Sequence, residues 1–121
     1  MSILKISPEL LKYFKGYCSS PEIIMLFVIH AIDRDGDGSL RQANREAHLG
    51  FLGESGDRVK LGGPMLSEDG SRMIGSMLVI EAKTLKEARD WAAGDPYKKA
   101  DLFASVDIRP WKAAVGTTTI T

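Results

Sequence analysis

Arg41, Arg45 and His48 stand four and three residues apart. Residues at those separations share one side of a helix. Two guanidiniums and an imidazole on one face can hold a carboxylate or an enolate and move a proton, because imidazole changes charge close to neutral pH. The same residues also make an ordinary solvated helix face with ion pairs to Glu46 or Glu54, and spacing alone favours that plainer reading.

Asp95-Pro96-Tyr97 is a second group with chemical content. Asp followed by Pro is first of all a helix start, with the carboxylate accepting from backbone N–H groups. A working Asp95 would instead orient a histidine and stabilise its charged form, as the second member of a triad does. No serine or cysteine stands where a nucleophile would be needed, and Cys18 precedes the expected core domain. Gly62-Gly63-Pro64 and Gly75-Ser76 put glycine inside strand patterns. Such glycines mark bulges or close backbone approach, and they can also let a ligand near a sheet. Neither is a phosphate loop, which needs a glycine-rich turn into a helix plus a lysine.

Asp33-Arg-Asp-Gly-Asp-Gly-Ser-Leu40 copies the front half of a calcium loop. Asp33, Asp35 and Asp37 fall at ligand positions one, three and five, and Gly38 falls at the sharp turn. The back half fails. Position twelve is Asn44, where calcium needs a bidentate glutamate, and a strand pattern precedes the loop where a helix should enter. The sequence therefore favours a solvated strand-to-helix turn, where Asp and Gly serve the backbone. No metal ligand and no cofactor is expected.

The elements that must position these groups follow from periodicity. Ile23 to Ile32 is a continuous apolar run rich in β-branched residues, read as a central strand buried on both faces. From Leu40 the period becomes helical. Leu40, Ala43, Ala47, Leu49 or Gly50, and Phe51 support a helix through about Glu54. Val59 to Met65 and Ile74 to Glu81 read as a hairpin around a polar Asp69-Gly70 turn. Thr84 caps a second helix, with Glu87 three residues later in a capping-box pattern and Leu85, Ala88, Trp91 and Ala92 facing inward. Asp95-Pro96 starts a short helix to Ala100, and Ser105 to Trp111 alternates as a last strand. The order strand, helix, strand, strand, helix, strand is the split βαβ, ferredoxin-like α+β arrangement with a four-stranded antiparallel sheet. Its two helices cover one sheet face. A second copy is the economical cover for the other, so a homodimer is expected.

A chain of 121 residues supports one modest core. Three segments are read: an extension at 1–22, the domain at 23–113 and a tail at 114–121. In the extension, Ser7, Pro8, Leu10, Leu11, Phe14 and Tyr17 spell a short capped helix rather than a secretory signal. A translation start at Met25 is the alternative. Sixteen basic residues balance sixteen acidic ones, so nothing suggests the positive field of a nucleic-acid binder. The longest apolar run is far short of a membrane span. A single cysteine excludes a disulfide framework within one chain and fits a reducing compartment, so a cytoplasmic location is expected.

Five blocks then stand in order: Asn44-Arg-Glu-Ala-His-Leu49, Gly62-Gly-Pro-Met65, Ile74-Gly-Ser76, Ala93-Gly-Asp-Pro-Tyr97 and Arg109-Pro-Trp-Lys112. Each alone is weak. Together, over roughly residues 25–113, they resemble the signature of the YCII-related family. The resemblance implies a dimeric α+β barrel with a His–Asp pair in a cleft, carried here by His48 and Asp95. It also implies that Arg45, with Arg41, Gly75 and Ser76, lines the region where a small anionic ligand binds. The family includes a dehydrochlorinase of a chlorinated hydroxyquinol, and muconolactone isomerases share the barrel. Lyase or isomerase chemistry by proton transfer is the implied activity, and a non-catalytic binding module using the same cleft is the alternative. Residues 1–24 and the acidic loop depart from the family pattern.

Overall fold

A computed structural model describes residues 24–117. The expected helix within residues 1–22 lies outside them. The order is β1 (Met25–Asp33), α1 (Ser39–Glu54), β2 (Val59–Leu66), β3 (Met73–Ala82), α2 (Leu85–Ala93), α3 (Pro96–Lys99) and β4 (Phe103–Trp111). A single 3-10 turn, Gly56–Arg58, joins α1 to β2. The strands form one sheet in the order β2-β3-β1-β4, antiparallel throughout. This is the ferredoxin-like α+β fold.

β1 runs through the middle of the sheet because its apolar, β-branched residues suit a site with neighbours on both sides. Phe27, Ile29 and Ala31 point to the helix side and are buried. Ile80, Leu78 and Ala82 of β3 and Ala88 of α2 complete the main core. Leu26 and Val28, on the other face, are only half-buried, and His30 is exposed. Burial of β1 on both faces thus holds for one face in the single chain. The helices cover one side only, and the register sets Leu61, Met77 and Trp111, all exposed, on the uncovered side.

The two long helices meet the body of the protein differently. α2 starts as its sequence dictates: Thr84 Oγ1 accepts from the Glu87 N–H at 3.0 Å. Glu87 reaches back one residue further than in the usual capping box, accepting from the Lys83 N–H at 3.2 Å. Its inward face is apolar, with Ala88 fully buried and Leu85, Trp91 and Ala92 packed on the core. α1 is a helix where expected, but most of its apolar stripe faces water. Leu40, Ala43, Ala47 and Leu49 are exposed, and its fully buried residues are Arg41 and His48. The reason is placement. α1 packs chiefly against α3 rather than flat on the sheet, and only its C-terminal end reaches the apolar core, through Leu52 and a Phe51–Trp91 ring contact.

Local chemistry sets the start of α1. Gly38, the residue before the helix, has φ 88°, a left-handed conformation that glycine adopts without penalty. Asp37 Oδ1 accepts from the Ser39 N–H at 2.9 Å. That backbone bond holds the Asp37 carboxyl below its usual range.

Candidate functional site

α1 and the α2–α3 junction bring His48 and Asp95 together. His48 Nδ1 lies 2.8 Å from Asp95 Oδ1, and both residues are about 95% buried (6% and 5% exposed). A carboxylate only accepts, so Nδ1 carries the shared proton. Asp95 holds two roles at once, since the same oxygen caps α3 by accepting from the Tyr97 N–H at 2.9 Å. The two readings of Asp95 that the sequence left open, helix cap and histidine partner, both describe its contacts. His48 Nε2 has no hydrogen-bond partner among the described residues.

Tyr97 forms the floor under the imidazole. The two rings are stacked, 4.0 Å between centroids and 13° from parallel. Burial raises the Tyr97 phenol above its ordinary value, against the opposing pull of the nearby Arg41 charge. The Arg41 guanidinium carbon lies 4.7 Å from the centre of the Tyr97 ring.

Arg41 is held through two of its three side-chain nitrogens. Its Nε and Nη2 donate to the two oxygens of Asp33 at 2.7 and 2.8 Å, the bidentate match that guanidinium and carboxylate geometry allow. Nη2 also donates to Ser76 Oγ at 2.9 Å. Burial works against the charge on Arg41, but the bonds and charge of Asp33 outweigh it and hold the guanidinium above its usual value. Neither Glu46 nor Glu54 pairs with Arg41. The partner is Asp33, contributed by the end of β1.

Of the calcium-pattern carboxylates, Asp33 is bonded to Arg41 and Asp37 to a backbone N–H. Among the described residues no group of three or more His, Cys, Asp or Glu is placed to hold a metal ion.

The remaining candidates divide. Arg45 is exposed and has no hydrogen-bond or ion-pair partner among the described residues. Ser76 is buried beneath Arg41. Gly75 is buried because its backbone crosses β1 so closely that a Cβ there would strike the Ala31 carbonyl oxygen. The glycine thus serves strand contact and draws Ser76 to the Arg41 side.

A cavity of about 620 Å³ opens beside this cluster between the β1–α1 loop, the N-terminal half of α1 and the β2–β3 turn. Arg41, Arg45 and Arg72 line it together with Asp33, Asp35 and Asp37. Neither His48 nor Asp95 does, so this cavity and the buried pair are neighbours rather than one space. Arg41 belongs to both, as cavity wall and as contact to Tyr97.

Sequence reasoning assigned no role to Tyr97 or Arg72. Tyr97 follows Asp95 in the fourth block, and an aromatic ring two residues after a capping carboxylate was the available signal. Asp33 was legible only as the first position of a calcium-loop pattern. Its pairing with Arg41 spans eight residues and a change from strand to helix, beyond any periodicity argument.

The fold and this cluster define a class: a ferredoxin-like α+β protein with a buried histidine–aspartate pair near a cavity lined by arginines and aspartates. The chain belongs to the YCII-related domain family, whose model matches residues 25–112. It is 34% identical over 95 residues to Protein YciI of Escherichia coli, covering 73% of this chain and 97% of that protein. A Haemophilus influenzae protein matches to the same extent. Among solved structures, 5-chloro-2-hydroxyhydroquinone dehydrochlorinase (TftG) from Burkholderia phenoliruptrix AC1100, in complex with 2,5-dihydroxybenzoquinone, superposes with a TM-score of 0.68. It shares 36% identity and covers 74% of this chain and 96% of its own. No helix among the described residues is long and apolar enough to cross a membrane.

Proposed function

We propose that this chain is a lyase-type enzyme that removes a proton from a small anionic substrate, with His48 as the base. The observation that carries the reading is the buried His48–Asp95 pair with Nε2 left without a hydrogen-bond partner among the described residues. Asp95 fixes the proton on Nδ1, so a neutral His48 presents its lone pair at Nε2. In an elimination of HX from the keto tautomer of a halogenated phenol, whose halogen-bearing carbon is tetrahedral, Nε2 takes the proton from the neighbouring carbon or from a conjugated hydroxyl. The carbon–halogen bond breaks with its electron pair leaving on the halide, and the electron pair of the broken C–H or O–H bond forms the new π bond in the substrate. Asp95 stabilises the imidazolium formed. Arg45 at the cavity mouth supplies positive charge for the substrate's anionic oxygen and the developing halide. The similarity to a dehydrochlorinase supports this class of reaction.

Halide release from 5-chloro-2-hydroxyhydroquinone by purified protein tests it. Chloride is expected from the wild type, with kcat reduced about 10²- to 10⁴-fold in His48→Ala, the range for loss of a general base. Full turnover in His48→Ala removes the reading.

A non-catalytic module is favoured by one observation, that the cavity excludes the pair. Unaltered binding of 2,5-dihydroxybenzoquinone to His48→Ala, with no turnover by wild type, selects it.

We also propose that a second copy covers the open sheet face. Four strands of about nine residues present roughly 800 Å² per partner once side chains are counted, close to a standard stable interface. Leu61, Met77 and Trp111 supply the apolar surface. Sedimentation is expected to show a dimer at micromolar concentration, and a stable monomer there contradicts this.

A further inference from the structure

The proposed pair has a third member that touches it twice. The Tyr97 ring lies parallel to the imidazole at 4.0 Å, and the Tyr97 N–H bonds to the Asp95 oxygen that also receives His48 Nδ1. Tyr97 is in turn held from other sides. Arg41 sits 4.7 Å from its ring centre, and Phe103 meets it edge-on at 6.0 Å and 83°. Arg41 is pinned by Asp33 and Ser76. Fixed contacts therefore run without a break from Asp33 through Arg41 and Tyr97 to His48 and Asp95.

The imidazole is held by its Cβ–Cγ bond and by one hydrogen bond at Nδ1. Small coupled changes of the two side-chain torsions can still tilt its plane, and the tilt moves Nε2, the atom that would meet the substrate. A flat surface at van der Waals distance resists this tilt. We infer that Tyr97 is a positioning residue that holds the His48 ring plane, with Arg41 as the clamp that holds Tyr97. The inference rests on the reading of His48 as the base. It gives Arg41 a structural task, since its Nε and Nη2 donors already serve Asp33 and Ser76. Arg45 then remains the cation on α1 that is free to meet a ligand.

Three variants of the full chain test this: Tyr97→Phe, which keeps the ring, Tyr97→Met, which keeps volume without a flat surface, and Arg41→Lys. The first readout needs no substrate. Nitrogen–proton NMR of the His48 ring reports which nitrogen carries the proton and how fast that proton exchanges with water. Wild type and Tyr97→Phe are expected to show one tautomer, with the proton on Nδ1. Tyr97→Met is expected to exchange that proton about tenfold faster, with averaging of the two tautomers. The second readout is turnover of 5-chloro-2-hydroxyhydroquinone. In Tyr97→Met, kcat is expected to fall roughly 10- to 100-fold with KM little changed, the mark of misplaced chemistry rather than lost binding.

A merely structural Tyr97 lowers the melting temperature and leaves the His48 tautomer and exchange as they are. That result in a folded variant overturns the inference. Should Tyr97→Met not fold, Arg41→Lys carries the test. It keeps a charge beside Asp33 but loses the planar group over the ring, and faster Nδ1 proton exchange is again expected. A wild type without turnover but with the expected NMR changes refutes the enzyme reading and upholds the positioning of His48 by Tyr97.

Discussion

Helices α1 and α2 lie in the same layer, yet they bury opposite kinds of surface. α2 turns Leu85, Ala88, Trp91 and Ala92 onto the sheet and leaves charge outside. α1 turns Arg41 and His48 inward and leaves Leu40, Ala43, Ala47 and Leu49 in water. Apolar burial favours folding with no need for direction, whereas a buried polar group stabilises only with its partners in place. α2 therefore holds the domain together. α1 is arranged around Asp33, Ser76 and Asp95, at the cost of apolar area it could have buried, which is the pattern expected of an element placed for chemistry.

The contrast can be broken at its strongest point by removing one partner of the buried ion pair. Arg41→Met leaves Asp33 buried without its cation and is expected to lower unfolding free energy by about 3–5 kcal/mol in urea titrations. Adding Asp33→Asn should recover part of that loss. A loss in Arg41→Met no larger than that of an exposed arginine would show that the inward face of α1 is not held this way.

The matching change on α2 adds apolar bulk instead. Ala88 is fully buried under the sheet contacts. Ala88→Leu overpacks the core and is expected to cost about 1–3 kcal/mol. A stability gain there would mean that α2 is loosely seated.

A smaller effect sharpens the comparison through pH. Tyr97 is raised above the ordinary tyrosine value by burial, so an unfolded Tyr97 ionises near pH 10 while the folded one stays neutral. Its contribution is complete below about pH 10 and is lost as pH rises through the folded value. Unfolding midpoints of the wild type should therefore fall more steeply above pH 10 than those of Tyr97→Phe. Parallel curves contradict it.

The smallest effect is expected on the outer side of α1. Leu49→Ala removes an exposed side chain and should change stability by no more than about 0.5 kcal/mol. A much larger loss would mean that this leucine is covered in solution.

Much of the fold was legible because its signals are local. Thr84 with Glu87, Asp95 with Pro96, and the β-branched run around Phe27 each state their structure within a few residues. The strand boundaries moved by one or two positions, as at β4, which begins at Phe103 because Leu102 and Phe103 join Tyr97 and Ala31 in a second small core. The inward face of α1 was not legible, for a physical reason. Periodicity places a helix's apolar stripe toward the core, and that holds only when what it packs on is apolar. Here the partners are a carboxylate at the end of β1, a hydroxyl on β3 and a carboxylate 47 residues from His48. No local pattern encodes such pairings. Only the ordered blocks of the family pointed to His48 with Asp95, and the Tyr97 stack and the Arg41–Asp33 pair needed coordinates.

The central claim is that the polar inward face of α1 is a working site. Its most direct test is a titration of the wild-type protein with 2,5-dihydroxybenzoquinone, followed by backbone amide shifts. Saturable shifts are expected along Arg41, Arg45 and His48 and at Asp95 and Tyr97, with α2 unmoved. Shifts centred on the open sheet face or on α2, or no saturable shift at millimolar ligand, contradict it.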